Sequence, residues 1–228
     1  MIEHYIEAVS TYAHDIDAVI ELIAWLVGFW GFLSLIVLFG FIVAFRAKDD
    51  RKAEYITGEE KHEMRWIHIP HDLVLVCDVV IIIWAVNVWY TVKQDLPVAD
   101  KVVRVVGQQW AWSFVHPGLD GKIDTEDDIK TVDNLYMTAD TLYHYRLEAR
   151  DVMHSFSVPV FRLKQDAVPG RVITGWFEAT KTGEYDIQCA EMCGIGHGLM
   201  PGRVIIQSPA AHLAWMKANT PKSLASAQ

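Results

Sequence analysis

Between Leu22 and Phe45 the chain carries no charged residue, and Leu, Ile, Val, Phe and Trp dominate the run. A helix needs about 20 apolar residues to cross a hydrocarbon core. Inside hydrocarbon the backbone must satisfy its own hydrogen bonds, which leaves a helix as the solution for a single segment. A buried helix of a soluble protein is usually shorter and more amphipathic. The run predicts a membrane-spanning helix over about 22–45. A second apolar run predicts another over about 73–90, bounded by Pro70 and Lys93. It contains Asp78 and Asn87, and a charge at membrane depth normally faces protein or water. Its polar stripe is therefore expected to turn toward another membrane protein. Trp84, Trp89 and Tyr90 suit an interfacial belt at its far end.

The connection between the runs holds Arg46, Lys48, Arg51, Lys52, Lys61 and Arg65, whereas no Lys or Arg precedes Arg46. The bias toward basic cytoplasmic loops places this connection inside, and the N-terminus and everything after about residue 92 outside. Residues 1–21 carry Glu3, Glu7, Asp15, Asp17 and Glu21, so they lack the basic start of a signal peptide. Residues 1–95 form one expected unit, an N-terminal segment with a helical hairpin. A formal net charge of -9 disfavours nucleic acid and favours a basic protein as partner.

After Pro97 the pattern changes from continuous to alternating. Lys101–Val106, Trp110–Val115, Leu142–Ala149, Ser155–Val160, Arg171–Glu178, Glu184–Cys189 and Gly202–Gln207 read as short strands rich in β-branched and aromatic residues. Such spacing predicts a β-sandwich or barrel over 96–208. Ser208-Pro209 reads as an N-cap with proline at the first helical position, opening a short helix to about Ala218. A Ser/Ala-rich tail completes a last unit, 209–228. In His116–Asp128 the acids resemble half of a calcium loop, but His116 and Gly118 occupy the first acidic ligand positions. A solvated acidic loop is the simpler reading.

Cys189-Ala-Glu-Met-Cys193-Gly-Ile-Gly-His197-Gly-Leu-Met200 puts two thiols, an imidazole and a thioether into one short segment, and His154 supplies a second imidazole upstream. Soft and borderline ligands of this kind suit copper. A disulfide between Cys189 and Cys193 is one alternative. A closed tetrahedral zinc site is another, although it leaves Met200 without a function. No C-x-x-C-H occurs, so a c-type haem is excluded. The third cysteine, Cys77, sits in the second apolar run as a small hydrophobe.

This segment resembles the binuclear copper (CuA) loop of subunit II of cytochrome c oxidase, C-x-E-x-C-x-x-x-H-x-x-M, with the upstream histidine in a D-V-x-H-S-F/W context. The likeness extends through Val106-Gly-Gln-Gln-Trp110-Ala-Trp112 and Leu163-Lys-Gln-Asp166-Ala-Val-Pro169-Gly-Arg171 to nearly the whole chain. It implies a membrane-anchored all-β protein: a two-helix transmembrane hairpin followed by a cupredoxin-like Greek-key β-sandwich or barrel. It also implies two copper ions bridged by Cys189 and Cys193. His154 and Met200 would complete one, and His197 with the backbone carbonyl of Glu191 the other. By the same resemblance Trp110 is the electron-entry residue, against the plainer reading of a core aromatic on a strand. Asp133 and Asp151 dock cytochrome c, against the plainer reading of solvated surface acids. The Glu191 carboxylate serves a magnesium site shared with subunit I, and Glu63 lies at the entrance of a proton pathway. The implied partners are subunits I and III and cytochrome c. The implied location is the bacterial or mitochondrial inner membrane, with the copper domain on the periplasmic or intermembrane-space side. Oxygen would be reduced in subunit I, coupled to proton pumping.

Two departures fall near the docking face. Ala111 stands where the family usually has tyrosine, and Arg150 where an acid commonly precedes Asp151. A nitric oxide reductase subunit would carry the same centre. Nitrous oxide reductase needs a large further domain, and quinol oxidase subunits lack the copper cysteines. From a different class, a membrane-anchored copper carrier would need exchangeable ligands, which a cage of six does not offer.

Overall fold

The structure, a computed structural model, describes residues 5–48, 52 and 56–221. Glu3, Arg51 and the tail beyond Pro221 lie outside the described residues. The chain divides into two compact bodies: Asp17–Trp89, and Met1–Ile16 together with Tyr90–Gln228.

The first body is built on two helices, α1 (Ala13–Ala44) and α2 (Lys61–Trp89). Both exceed the apolar runs because polar turns extend them at their N-terminal ends. Asp15 in the first turn of α1 and Glu63 in that of α2 complement the positive helix N-terminus. Pro70, read from sequence as a boundary, lies inside α2. A proline loses one helical hydrogen bond, which membrane-type helices tolerate. No described residue of α2 is buried, and most apolar side chains of α1 after Val27 are exposed. Each helix is long and apolar enough to cross a membrane. Exposed on both, that surface belongs in lipid or against another membrane protein. Asp78 is exposed on α2, and Asn87 satisfies itself by donating to the Ile83 carbonyl.

The second body is a β-sandwich. Its strands among the described residues are β1 (Lys101–Gln108), β2 (Ala111–His116), β3 (Ile129–Val132), β4 (Asn134–Thr138), β5 (Leu142–Ala149), β6 (His154–Val158), β7 (Leu163–Ala167), β8 (Ile173–Glu178), β9 (Gly183–Cys189) and β10 (Gly202–Gln207). One sheet runs β3-β2-β1-β5-β8 and the other β4-β10-β9-β6-β7. The β1–β5 and β4–β10 pairs are parallel, and the rest are antiparallel. Alternate residues point inward, so Trp112 and Phe114 of β2 meet Phe156 of β6, and Tyr143, Tyr145 and Leu147 of β5 are buried in the same body. Strands β3, β4 and β7 were not legible in the sequence. The first two are short and share a corner at Asp133, whose φ of 59° breaks the alternation between them. The third, Leu-Lys-Gln-Asp-Ala, carries charges where β-formers are expected.

Residues 5–16 also belong to this body rather than to the hairpin alone. Val9 N–H donates to the Val160 carbonyl at 2.8 Å, Thr11 N–H to Glu178 at 3.1 Å, and Thr180 N–H to Val9 at 2.8 Å. Ser10 bridges to Ala179 just beyond β8 and donates its hydroxyl to the Phe161 carbonyl at 3.0 Å. Val9 and Tyr12 are buried, and the Tyr12 ring meets Trp176 edge-on with centroids 5.0 Å apart. The segment thus closes part of an edge that would otherwise expose unpaired backbone.

Helix α3 (Pro209–Asn219), capped by Ser208, packs Trp215 between Tyr136, stacked at 4.3 Å, and the imidazoles of His116 and His212 at 5.2 and 5.4 Å. His116 also meets the Thr131 hydroxyl at 2.9 Å, and His212 the Gln207 amide oxygen at 3.0 Å. Burial first, then the neighbouring His212, pushes His116 down to about 3. Burial, then Lys101, pushes His212 down to about 4.

Two outcomes follow from this packing. Tyr12→Ala should cost about 3 kcal/mol, as for other large buried aromatics, read as a lowered urea midpoint. Both histidines are neutral when folded yet titrate near 6.5 when unfolded, so the unfolded chain binds more protons at lower pH. Stability should therefore be complete above about pH 6.5 and fall as pH drops toward 4. Urea midpoints across that range should decline less steeply in His116→Gln.

Candidate metal centre

The register of β6, β9 and β10 brings the donors together. Phe156 on β6 lies opposite Cys189 on β9, so His154, two residues along on the same face, sits diagonally across from that thiol. Gly202 of β10 pairs with Ile187 of β9, which pins both ends of the loop 190–201. The loop is closed by Ala190 N–H donating to Ser155 O at 2.9 Å and His197 N–H to Gly194 O at 3.1 Å.

Cys189 and Cys193 are free thiols 3.8 Å apart, which is not the separation of a disulfide. His154 Nδ1 is 4.0 Å from the Cys189 sulfur, and His197 Nδ1 is 3.7 Å from that of Cys193. The Met200 sulfur lies 3.9 Å from Cys193, and the Glu191 carbonyl accepts from the Cys189 thiol at 3.3 Å. His154, Cys193 and Met200 are buried, while His197 and Cys189 are half-buried. The donor atoms of His154, Cys189 and Cys193 all lie within 4.8 Å of one another, and His197 stands outside that group beside Cys193. The dithiol therefore has an imidazole at each end, an arrangement longer than a closed tetrahedral site of four ligands requires. A metal–thiolate bond is about 2.3 Å, so one ion can reach both sulfurs across 3.8 Å. Burial, then the adjacent Cys189, pushes the Cys193 thiol up. Two thiolates this close need cations between them, and the soft donor set fits copper.

The candidate donors are themselves held. His154 Nε2 donates to Asp151 Oδ1 at 2.9 Å, which leaves Nδ1 facing Cys189. Gly107 lies under the imidazole, where a side-chain carbon would come within 3.1 Å of the ring. Trp110 is not the core aromatic of the plainer sequence reading. It occupies the turn between β1 and β2, 39% exposed, and β2 begins only at Ala111. Its indole covers the loop so closely that any side chain at Gly196 would overlap the ring.

The acids behave less freely than surface carboxylates. Asp151 accepts from His154, from Gln109 N–H at 2.7 Å and from Val152 N–H at 2.7 Å. Burial raises its pKa, but these hydrogen bonds outweigh it and hold the carboxyl below the ordinary range. Asp133 accepts from Trp112 N–H at 2.9 Å at the β3–β4 corner. Glu63 accepts from Gly58 N–H at 2.9 Å, closing the turn before α2. In the 116–128 loop the carboxylates bond to the loop itself, through Asp120 N–H to Asp127 and Asp124 N–H to Asp128, and Asp124 pairs with Arg104 and Arg146. Gln109 escaped the sequence reading, although its signal was present in Gln-Gln-Trp. It donates from Nε2 to the Cys193 carbonyl at 2.8 Å.

A β-sandwich with two thiols, two imidazoles and a thioether gathered at one end is a cupredoxin-type copper domain, here carried on a membrane anchor. Residues 101–208 match the family described as cytochrome c oxidase subunit II, periplasmic domain. The alternative cytochrome c oxidase subunit 2 of Bradyrhizobium diazoefficiens is 30% identical over 89% of this chain and 79% of its own length. Cytochrome c oxidase subunit 2 of Cereibacter sphaeroides is 29% identical over 92% of this chain and 76% of its own. The crystal structure of the periplasmic domain of subunit II of cytochrome oxidase from Bradyrhizobium japonicum superposes with a TM-score of 0.50 at 26% identity, covering 55% of this chain and 96% of that one. The chain belongs to the cytochrome c oxidase subunit II family. It is thus a membrane-anchored, copper-binding subunit of an oxidoreductase complex, as the sequence motifs implied.

A dithiol that binds metal as one unit predicts that Cys193→Ser abolishes metal binding rather than halving it. Copper per chain by atomic emission should fall to trace levels. Retention of one equivalent would instead make the thiols independent ligands.

Proposed function

We propose that the chain takes electrons one at a time from a soluble cytochrome c and passes them to haem in a partner membrane subunit, where oxygen is reduced to water with proton pumping. The observation that carries this reading is the dithiol with an imidazole at each end beneath an exposed tryptophan. Cys189 and Cys193 would hold two copper ions between them, His154 and Met200 completing one, His197 and the Glu191 carbonyl the other. Copper held there would supply a one-electron couple, with Cys189 and Cys193 as its thiolate donors. The protein keeps the donors still: β6, β9 and β10 fix His154, Cys189 and the loop ends, and Asp151 fixes the His154 ring. With every donor committed, no position is left for a substrate, which separates electron relay from catalysis on a bound molecule. Buried Met200 and Cys193 keep water from the thiols.

Trp110 presents a π-face at the surface and its other side to Gly196, so it shortens the gap an electron crosses from a docked haem. Asp133 and Asp151 lie at the same end and attract a basic cytochrome. The Glu191 carboxylate, half-buried, serves a magnesium site shared with subunit I, and Glu63 opens a proton pathway at the opposite membrane face. Subunits I and III are the membrane partners, and Asp78 on α2 faces one of them. The membrane is the bacterial or mitochondrial inner membrane. The basic connection lies on its inner side, and the N-terminus and copper domain lie outside. That orientation is supported by residues 5–16 packing on the β-domain, since two crossings return the chain to the side it left.

Trp110→Phe in the copper-replete complex should leave cytochrome c affinity within about tenfold, 1.4 kcal/mol, while slowing electron entry far more. Stopped-flow reduction by ferrocytochrome c, set beside a binding isotherm at the same ionic strength, measures both. Normal entry would reduce Trp110 to a packing role.

A further inference from the structure

The turn that carries Trp110 is tied through two atoms of one residue, once to the metal loop and once to Asp151. Gln109 N–H donates to Asp151 Oδ2 at 2.7 Å, and Gln109 Nε2 donates to the Cys193 carbonyl at 2.8 Å. Asp151 uses its other oxygen for His154 Nε2 at 2.9 Å. Gln109 is therefore bonded directly to the backbone of one metal ligand and, through a single carboxylate, to the ring of another. It immediately precedes Trp110, whose indole lies over Gly194 and Gly196 of the same loop.

Nothing in the strand pairing needs these bonds. The β1–β2 ladder runs to the Gln108–Ala111 pair and stops there, so the two residues between them are held only by what the turn touches. A hairpin tip without such contacts is ordinarily the most mobile part of its element. The chemistry of the contact is also specific. A backbone carbonyl only accepts, so the side chain at 109 must donate and must span the gap to Cys193. Glutamate would set a carboxylate against that oxygen, asparagine is one methylene shorter, and methionine keeps the length without a donor.

We propose that Gln109 is a positioning residue for electron entry: it clamps the Trp110 turn to the metal loop and so fixes the indole relative to Cys193 and His154. This rests on the reading of Trp110 as the entry residue, and the test separates the two. Amide hydrogen exchange of the full-length protein, metal-free and copper-loaded, reads the clamp without reference to activity. In Gln109→Met, exchange should rise together in residues 107–113 and in 192–197, and Gln109→Lys, which returns a donor, should restore protection. In the copper-loaded complex Gln109→Met should slow reduction by ferrocytochrome c on the order of tenfold, the scale of a small misplacement, with binding unchanged. In a Trp110→Phe background the same substitution should add nothing. If exchange in 192–197 and the entry rate are both normal in Gln109→Met while Trp110→Phe is slow, the clamp is refuted and Trp110 stands. An entry rate unchanged in Trp110→Phe refutes the entry role, and with it the clamp's purpose. A further slowing by Gln109→Met in the Trp110→Phe background also overturns the proposal, because Gln109 would then act other than through the indole.

Discussion

Two thiols held 3.8 Å apart in a largely buried pocket make an arrangement that the protein alone does not favour in ionised form. Burial and the neighbouring Cys189 disfavour the Cys193 thiolate, and a cation beside it reverses that preference. The donors must then be fixed before the metal arrives, or binding would carry the entropy of ordering a loop. The sandwich meets this need with backbone. The β6–β9 and β9–β10 ladders fix the strand ends that flank the loop, and the Ala190 to Ser155 hydrogen bond carries the ladder one step further.

The carboxylates near this centre show how little a surface acid's formal charge says about its role. Asp151 is a hydrogen-bond hub that orients an imidazole, and Asp133 is the corner that lets β3 pass into β4 with a left-handed backbone. Asparagine and aspartate tolerate that conformation better than most residues. Neutralising either would therefore disturb geometry as well as remove a charge. Local charge and site geometry are thus carried by the same side chains.

The anchor and the β-domain are joined in sequence twice, at the start of α1 and after α2. The residues before the first junction pack within the β-domain's own body. Arg162 donates to the Ile6 and Glu7 carbonyls, and Lys181 pairs with Glu7 at 2.7 Å, reinforcing the buried Val9 and Tyr12. Segment 5–16 therefore acts as a piece of the sandwich that precedes the membrane helix. A boundary drawn by composition at residue 95 assigns it to the anchor.

What the sequence determined by itself was whatever a local pattern encodes. An uncharged run longer than a hydrocarbon core, alternation after Pro97, and Cys189 through Met200 with His154 upstream each need only neighbouring residues to be read. The two helices, the sandwich class and the donor set were legible for that reason. Tertiary structure decided what depends on residues far apart in the chain. It folded residues 5–16 onto β8, continued α2 through Pro70, and made strands of the short stretches β3 and β4 and the charged stretch β7 by pairing them with longer or more apolar neighbours. It also moved Trp110 out of the strand and onto the loop, and turned Asp151 and Gln109 into the link between that tryptophan and the thiol and imidazole side chains. Hydrogen bonds spanning 42 and 84 residues leave no periodicity in a sequence, because their geometry exists only once the strands that carry them are in register.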